Sequence, residues 1–218
     1  MDVEIWSDVV CPYCYVGKHQ FEMALEGLHL TDNVSVTYRS FELQPDAQPF
    51  SGELLPSHLA KRFGRSESDI AAMNERVETM GAEVGVKFDF ANAKPTNTHD
   101  AHRLIHMAAK DGKGHEMFEA LHEAYFVRGR DIGSHEVLVE LGTSLGYSPE
   151  AIQEMLGSDA FRESVVDDER EADELGITGV PFFVINREYG ISGAQGVETF
   201  RSILTEIAAK SGGSAAEQ

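Results

Sequence analysis

Cys11 and Cys14 stand three apart with Pro12 and Tyr13 between them, and they are the only two cysteines among 218 residues. A disulfide framework uses more cysteines spread along the chain, and a structural zinc site needs two further ligands at suitable spacing. A lone Cys-x-x-Cys pair suits thiol–disulfide exchange instead, in which a thiolate attacks a sulfur of a disulfide. Cys11 sits just before a helical pattern, where unpaired backbone N–H groups and the helix dipole favour an anion. Pro12 fits a first helical position, because its missing N–H has no intrahelical role there. Cys11 is therefore read as the attacking thiol and Cys14, one turn on, as the resolving one. Asp8 disfavours a nearby thiolate, whereas Lys18 or His19 favours it.

Two further features carry chemistry. Val180-Pro181 opens an apolar strand after Gly176-Ile177-Thr178-Gly179. A strand-start proline is ordinarily trans, but beside a cysteine pair the cis form is favoured here. His99, His102 and His106 fall on one helical face by spacing. They lack a clear carboxylate partner in sequence, and no His-Glu-x-x-His pattern occurs, so no metal is expected. The reading preferred is packing beside the active site, with a histidine that tunes Cys11 or relays a proton. The acidic run Asp167 to Glu174 reads as a solvated helical face. No Gly-x-Gly-x-x-Gly or P-loop pattern supports nucleotide binding.

The positioning elements follow from periodicity. Val3 to Ser7 reads as a strand, Tyr15 to Leu28 as a helix, and the β-branched Val34 to Tyr38 as a second strand. This is the order of a parallel βαβ unit with a right-handed crossover. Phe41 to Pro56 reads as a loop. Helices are expected over Asp69–Met80, Asn97–Lys110, His115–Phe126, Ser134–Leu145, Pro149–Leu156 and Ser158–Leu175. Ser148-Pro149-Glu150 carries the clearest start signal. Pro181 to Asn186 and Tyr189 to Gly193 read as strands joined by a tight turn at Asn186-Arg187-Glu188. Gly196 to Lys210 is an amphipathic helix.

The order β-α-β, about 120 residues of helix, then β-β-α gives an α/β thioredoxin fold with a large all-helical domain inserted. The expected boundaries are 1–50 and 176–210 for the thioredoxin-like domain, 51–175 for the insertion and 211–218 for a disordered polar tail.

Composition narrows the partners. With 18 basic against 37 acidic residues the net charge is −19, which argues against nucleic acid and anionic membranes. No stretch reaches the roughly 20 apolar residues of a membrane span. Met1 to Asp8 has neither a basic n-region nor an apolar run, so a cytoplasmic location is expected.

The sequence resembles the DsbA-like branch of the thioredoxin superfamily, in particular its FrnE-like subgroup. The matching stretches are Ile5 to Lys18, Asn97 to Arg103, Tyr125-Phe126 with Gly129 to Ile132, Gly179 to Val184 and Ile191 to Gln195. The resemblance implies a redox pair at Cys11 and Cys14 with a cis Pro181 facing it. Pro12, Tyr13, Val180 and His99 are then the expected substrate-contacting residues, with the Val180 backbone pairing with an extended substrate segment.

The implied activity is a protein disulfide oxidoreductase or isomerase acting on disulfide-containing or thiol proteins, with no resident cofactor. Kappa-class glutathione transferases and 2-hydroxychromene-2-carboxylate isomerases resemble the same layout but carry serine where Cys11 stands. A glutathione-dependent transferase or isomerase of a small molecule is therefore the alternative. The Cys-Pro-Tyr-Cys string also leaves glutathione open as a co-substrate.

Overall fold

The computed structural model describes the backbone over residues 1–213 and side chains over residues 1–210. Four strands form one sheet in the order β2-β1-β3-β4. Strand β1 (Asp2–Ser7) pairs in parallel with β2 (Ser35–Ser40) and antiparallel with β3 (Phe182–Ile185). Strand β4 (Tyr189–Ser192) closes a hairpin with β3. Helix α1 (Pro12–Gly27) makes the crossover from β1 to β2. Asn186 and Arg187 both take positive φ, as the hairpin turn demands, and the Asn186 side chain accepts from the Asp2 N–H.

Strand alternation sends Val3 and Ile5 to one face, where α1 and the last helix, α9 (Val197–Gly213), cover them. Phe21, Phe183 and Phe200 meet there with ring centroids 4.9–5.6 Å apart. Trp6 points the other way and packs with Ala172, Ile177 and Val184. Between β2 and β3 lie α2 (Leu55–Phe63), α3 (Glu67–Glu83), α4 (His99–Ala109), α5 (Gly114–His122), α6 (His135–Ser144), α7 (Pro149–Leu156) and α8 (Arg162–Glu174). A π-helical turn, Glu123–Val127, continues α5. The helical segment does not stand apart from the sheet. One apolar cluster runs from Ile5 and Phe183 through Tyr38 to Leu104, Met117 and Phe118.

Several expectations need correction. α1 begins at Pro12 rather than Tyr15, so Cys11 is its N-cap and Cys14 lies in its first turn. α2 begins inside the stretch read as a loop, because Pro56 in the first turn starts a helix rather than breaking one. Ser158–Phe161 precedes α8 as a non-helical approach, with Phe161 in the left-handed region. Ser134 makes no side-chain cap, whereas Ser66 forms a capping box with Asp69 that the sequence reading passed over. Residues 211–213 belong to the last turn of α9, not to a polar tail, and 214–218 lie outside the described residues.

The acidic run is not simply a solvated face. Asp168 is buried, and its carboxylate accepts from the Ser40 N–H at 2.8 Å and from Arg39 at 2.9 Å, with His106 at 3.1 Å. The Trp6 indole N–H donates to the Asp168 carbonyl at 2.9 Å. One side of α8 is thus a polar clamp on β1 and β2. Only tertiary packing selects which carboxylate of the run faces inward.

Candidate active site

Cys11 is the N-cap of α1, in extended backbone conformation, with its carbonyl accepting from the Cys14 and Tyr15 N–H groups. Pro12 follows at the first helical position. Both thiols are free and close to fully buried, Cys11 at 4% exposure and Cys14 at 1%. That small difference matters, because Cys11 also borders an open cleft while Cys14 does not. Burial pushes the Cys14 thiol well up, and the hydrogen bond and charge of Cys11 add to it; Ser7 and the Asp8 N–H act the other way. Cys14 therefore stays protonated until a neighbour draws its proton. Tyr13 is 44% exposed at the rim.

The Val180–Pro181 bond is cis, and Pro181 is buried against α1. The Cys11 thiol donates to the Val180 carbonyl at 3.6 Å, a distance within the longer reach of sulfur. Gly17 allows this approach: a Cβ there would lie 3.0 Å from Pro181 Cγ and 3.4 Å from Ala194 Cβ. Glycine is needed at that turn of α1 for packing, not for backbone conformation. The Gly193 N–H donates to the Pro181 carbonyl at 2.8 Å and holds the loop from its far side.

α1 is fixed from its other flank by a buried polar cluster. Tyr15 donates to Glu119 at 2.6 Å, and Lys18, itself buried, pairs with Glu119 at 2.7 Å and Glu22 at 3.0 Å. The Tyr15 ring stacks on His122 at 4.8 Å. Burial lowers His122 to about 4, so this ring is neutral at ordinary pH and behaves as a flat core residue.

The cleft beside Cys11 has a volume of about 630 Å³ and a mostly apolar wall. Pro12 and Tyr13 line it from α1, Leu59 and Phe63 from α2, and Val77 from α3. The expected contact residues thus divide. Pro12 and Tyr13 border the cleft, and Val180 reaches Cys11 through its carbonyl. His99 does neither. It hydrogen-bonds Glu42 at 2.8 Å and borders a separate, smaller cleft with Asp100 and Arg162. His99 thus stands away from the cleft beside Cys11, and it is His102, one turn on along α4, that meets Asp8.

His102 is fully buried and meets the Asp8 carboxylate at 3.3 Å. Asp8 is also fully buried, accepts from the Leu43 N–H at 2.8 Å, and gives its carbonyl to the Cys11 N–H at 3.1 Å. His106 meets Ser40 at 3.0 Å and Asp168. All three histidines of the α4 face thus find carboxylates supplied by distant parts of the chain. Among the described residues no group of three or more His, Cys, Asp or Glu side chains is arranged to hold a metal ion. Sequence reasoning treated Asp8 only as a charge near the thiols. Its offset of three residues before Cys11 was the one available signal, and it did not reveal the His102 partner.

No helix among the described residues is long and apolar enough to cross a membrane. The DSBA-like thioredoxin domain family matches residues 2–205. A probable DsbA oxidoreductase from Streptomyces coelicolor superposes with a TM-score of 0.90 at 38% identity, over 94% of this chain and 89% of that one. An uncharacterized protein of Bacillus subtilis, YwbO, is 29% identical over 210 residues, 94% of this chain and 96% of that protein. The cytosolic disulfide reductase DsbM from Pseudomonas aeruginosa, solved with GSH, superposes at 0.69 with 20% identity, over 96% of this chain and all of that one. At that identity the likeness concerns the fold.

Proposed function

The chain belongs to the DSBA-like thioredoxin domain family, and we propose that it is a thiol–disulfide oxidoreductase whose reacting pair is Cys11 and Cys14. A place in the FrnE-like subgroup is part of the proposal, supported by the stretches Ile5 to Lys18 and Asn97 to Arg103. The observation that carries the reading is the placement of Cys11. Its sulfur stands at a helix N-terminus, 3.6 Å from the carbonyl that precedes cis Pro181, at the mouth of the cleft.

The steps follow from that placement. Cys11 as thiolate attacks one sulfur of a substrate disulfide, forming a mixed disulfide and releasing the other sulfur as a thiol after protonation. Cys14 then loses its proton and attacks the Cys11 sulfur, expelling the second substrate thiol. Two electrons pass to the substrate, and the Cys11–Cys14 disulfide remains. The reverse sequence oxidises a dithiol. Burial keeps Cys14 as a thiol through the first step, so Cys11 is the one that reacts with substrate.

Cys11→Ser is expected to abolish reduction of insulin disulfides, and Cys14→Ser to accumulate the mixed disulfide. Full insulin activity in Cys11→Ser rules the reading out.

The apolar cleft of about 630 Å³ favours a second reading on the same thiols, with glutathione as co-substrate and a small molecule as acceptor. The GSH bound to DsbM is consistent with it. Titration calorimetry with millimolar glutathione tests it, and absence of heat counts against it. Cytoplasmic work on thiol or disulfide proteins remains part of the proposal and is checked by cell fractionation.

A further inference from the structure

His102 and Asp8 lie 94 residues apart in sequence, yet they form a pair with both side chains at most 2% exposed. Leaving two ionisable groups there requires mutual compensation, because a single buried charge is strongly disfavoured. Asp8 adjoins the redox pair. Its carbonyl accepts the Cys11 N–H, and it borders the cleft together with Cys11. An uncompensated carboxylate in that position opposes a thiolate at the helix start, since like charges repel strongly where water is excluded. We infer that His102 is a positioning residue for the exchange reaction: its imidazolium neutralises Asp8 and so permits the Cys11 thiolate. This rests on the reading of Cys11 as the attacking thiol.

The surroundings fit a protonated ring. Besides Asp8, the carboxylates of Glu42, after β2, and Glu169, from α8, act on His102. Glu169 accepts the Glu42 N–H at 2.9 Å, and Glu42 is shared with His99. His122, at the end of α5, and Tyr125, in the π-helical turn, also feel the Asp8 charge, and the two cysteines adjoin it at the start of α1. Burial works against the charged imidazole, but the hydrogen bond and charge of Asp8, with Glu42 and Glu169, outweigh it and raise His102 above its ordinary value. The imidazolium therefore persists to higher pH than in a free histidine. Once it is lost, the Asp8 carboxylate keeps only backbone donors, the Leu43 N–H at 2.8 Å and the Val10 N–H at 3.5 Å, and its charge is no longer neutralised.

The test is the rate of Cys11 alkylation by iodoacetamide as a function of pH, in a Cys14→Ser background so that one thiol reports. His102→Gln keeps a polar side chain of similar size and removes the charge. It is expected to slow alkylation at pH 7 at least about threefold and to move the pH profile upward. Asp8→Asn added to His102→Gln is expected to restore the rate, because the charge that needed neutralising is gone. A His102→Gln profile identical to its parent overturns the inference. So does a double variant as slow as the single one, which would mean that packing was lost rather than charge.

The unsubstituted chain provides a measurement that does not depend on a variant folding. The coupling is reciprocal, so the His102 ring, followed by NMR, is expected to titrate at lower pH in the Cys11–Cys14 disulfide than in the dithiol. A midpoint indifferent to redox state overturns the inference. Alkylation reads the thiolate without any disulfide substrate, so a failure here is separable from failure of the insulin assay.

Discussion

Gly17→Ala tests whether α1 and the Pro181 loop are held in register by one missing methyl group. Two effects oppose each other. Alanine in a helix interior is favoured over glycine by about 1 kcal/mol. The new Cβ, however, arrives 3.0 Å from Pro181 Cγ and 3.4 Å from Ala194 Cβ. Neither wall yields easily: Pro181 is a ring on a loop fixed by the Gly193 N–H, and α1 is anchored behind by Lys18, Glu119 and Tyr15. Overpacking of this kind costs about 1–3 kcal/mol, so the net expectation is a loss of up to about 2 kcal/mol.

The same displacement moves the Val180 carbonyl relative to Cys11, so insulin turnover is expected to fall by at least about threefold, since small misplacements of reacting groups are expensive. Gly27→Ala is the matched control. The three atoms nearest its Cβ all belong to the guanidinium end of Arg201, which can swing aside. Urea unfolding measures the stability of both variants, and insulin reduction measures the chemistry. Gly17→Ala stabilised by the full propensity difference, with unchanged turnover, refutes the close-packing argument.

Two other outcomes follow from the α8 clamp. Asp168→Ala strands the Ser40 N–H and removes one partner each from Arg39 and His106, and is expected to cost about 3 kcal/mol in urea unfolding, at the low end for a broken buried pair because Arg39 retains Glu4 and His106 retains Ser40. In the folded chain burial works against the Asp168 carboxylate, but His106, the Ser40 N–H and Arg39 outweigh it and hold the carboxyl below its ordinary range. A depressed folded value stabilises the protein above the unfolded pKa of about 3.9, and that contribution is lost as pH falls through the folded value. The urea midpoint of the parent is therefore expected to drop more steeply below about pH 4 than that of Asp168→Asn, and equal slopes contradict the assignment.

Much of the site was legible because it is local. A Cys-Pro-Tyr-Cys string at a strand-to-helix junction defines its own geometry: the N-cap, the proline at the first helical position and the thiol one turn on follow from helix stereochemistry alone. The β-branched runs likewise dictated β1 and β2, and the apolar run after Pro181 dictated β3. Ser148 capping Ala151 was readable for the same reason.

What the chain could not reveal by itself is which polar groups face inward. Periodicity put His99, His102 and His106 on one face of α4, but a helix face has no knowledge of what packs against it. Tertiary packing decided that His102 meets Asp8, in the loop before α1, and that His99 meets Glu42, just after β2. Docking of α8 decided that Asp168 is buried, that Asp167, Glu169 and Glu171 are half-buried and that Asp173 and Glu174 are exposed. Exposed and buried carboxylates have the same sequence signature. They differ only in partners brought from 94 or 128 residues away. The sequence by itself determined where the thiols are and how a helix presents them. The tertiary structure alone decided that the carboxyl residue adjoining Cys11 is paired with His102.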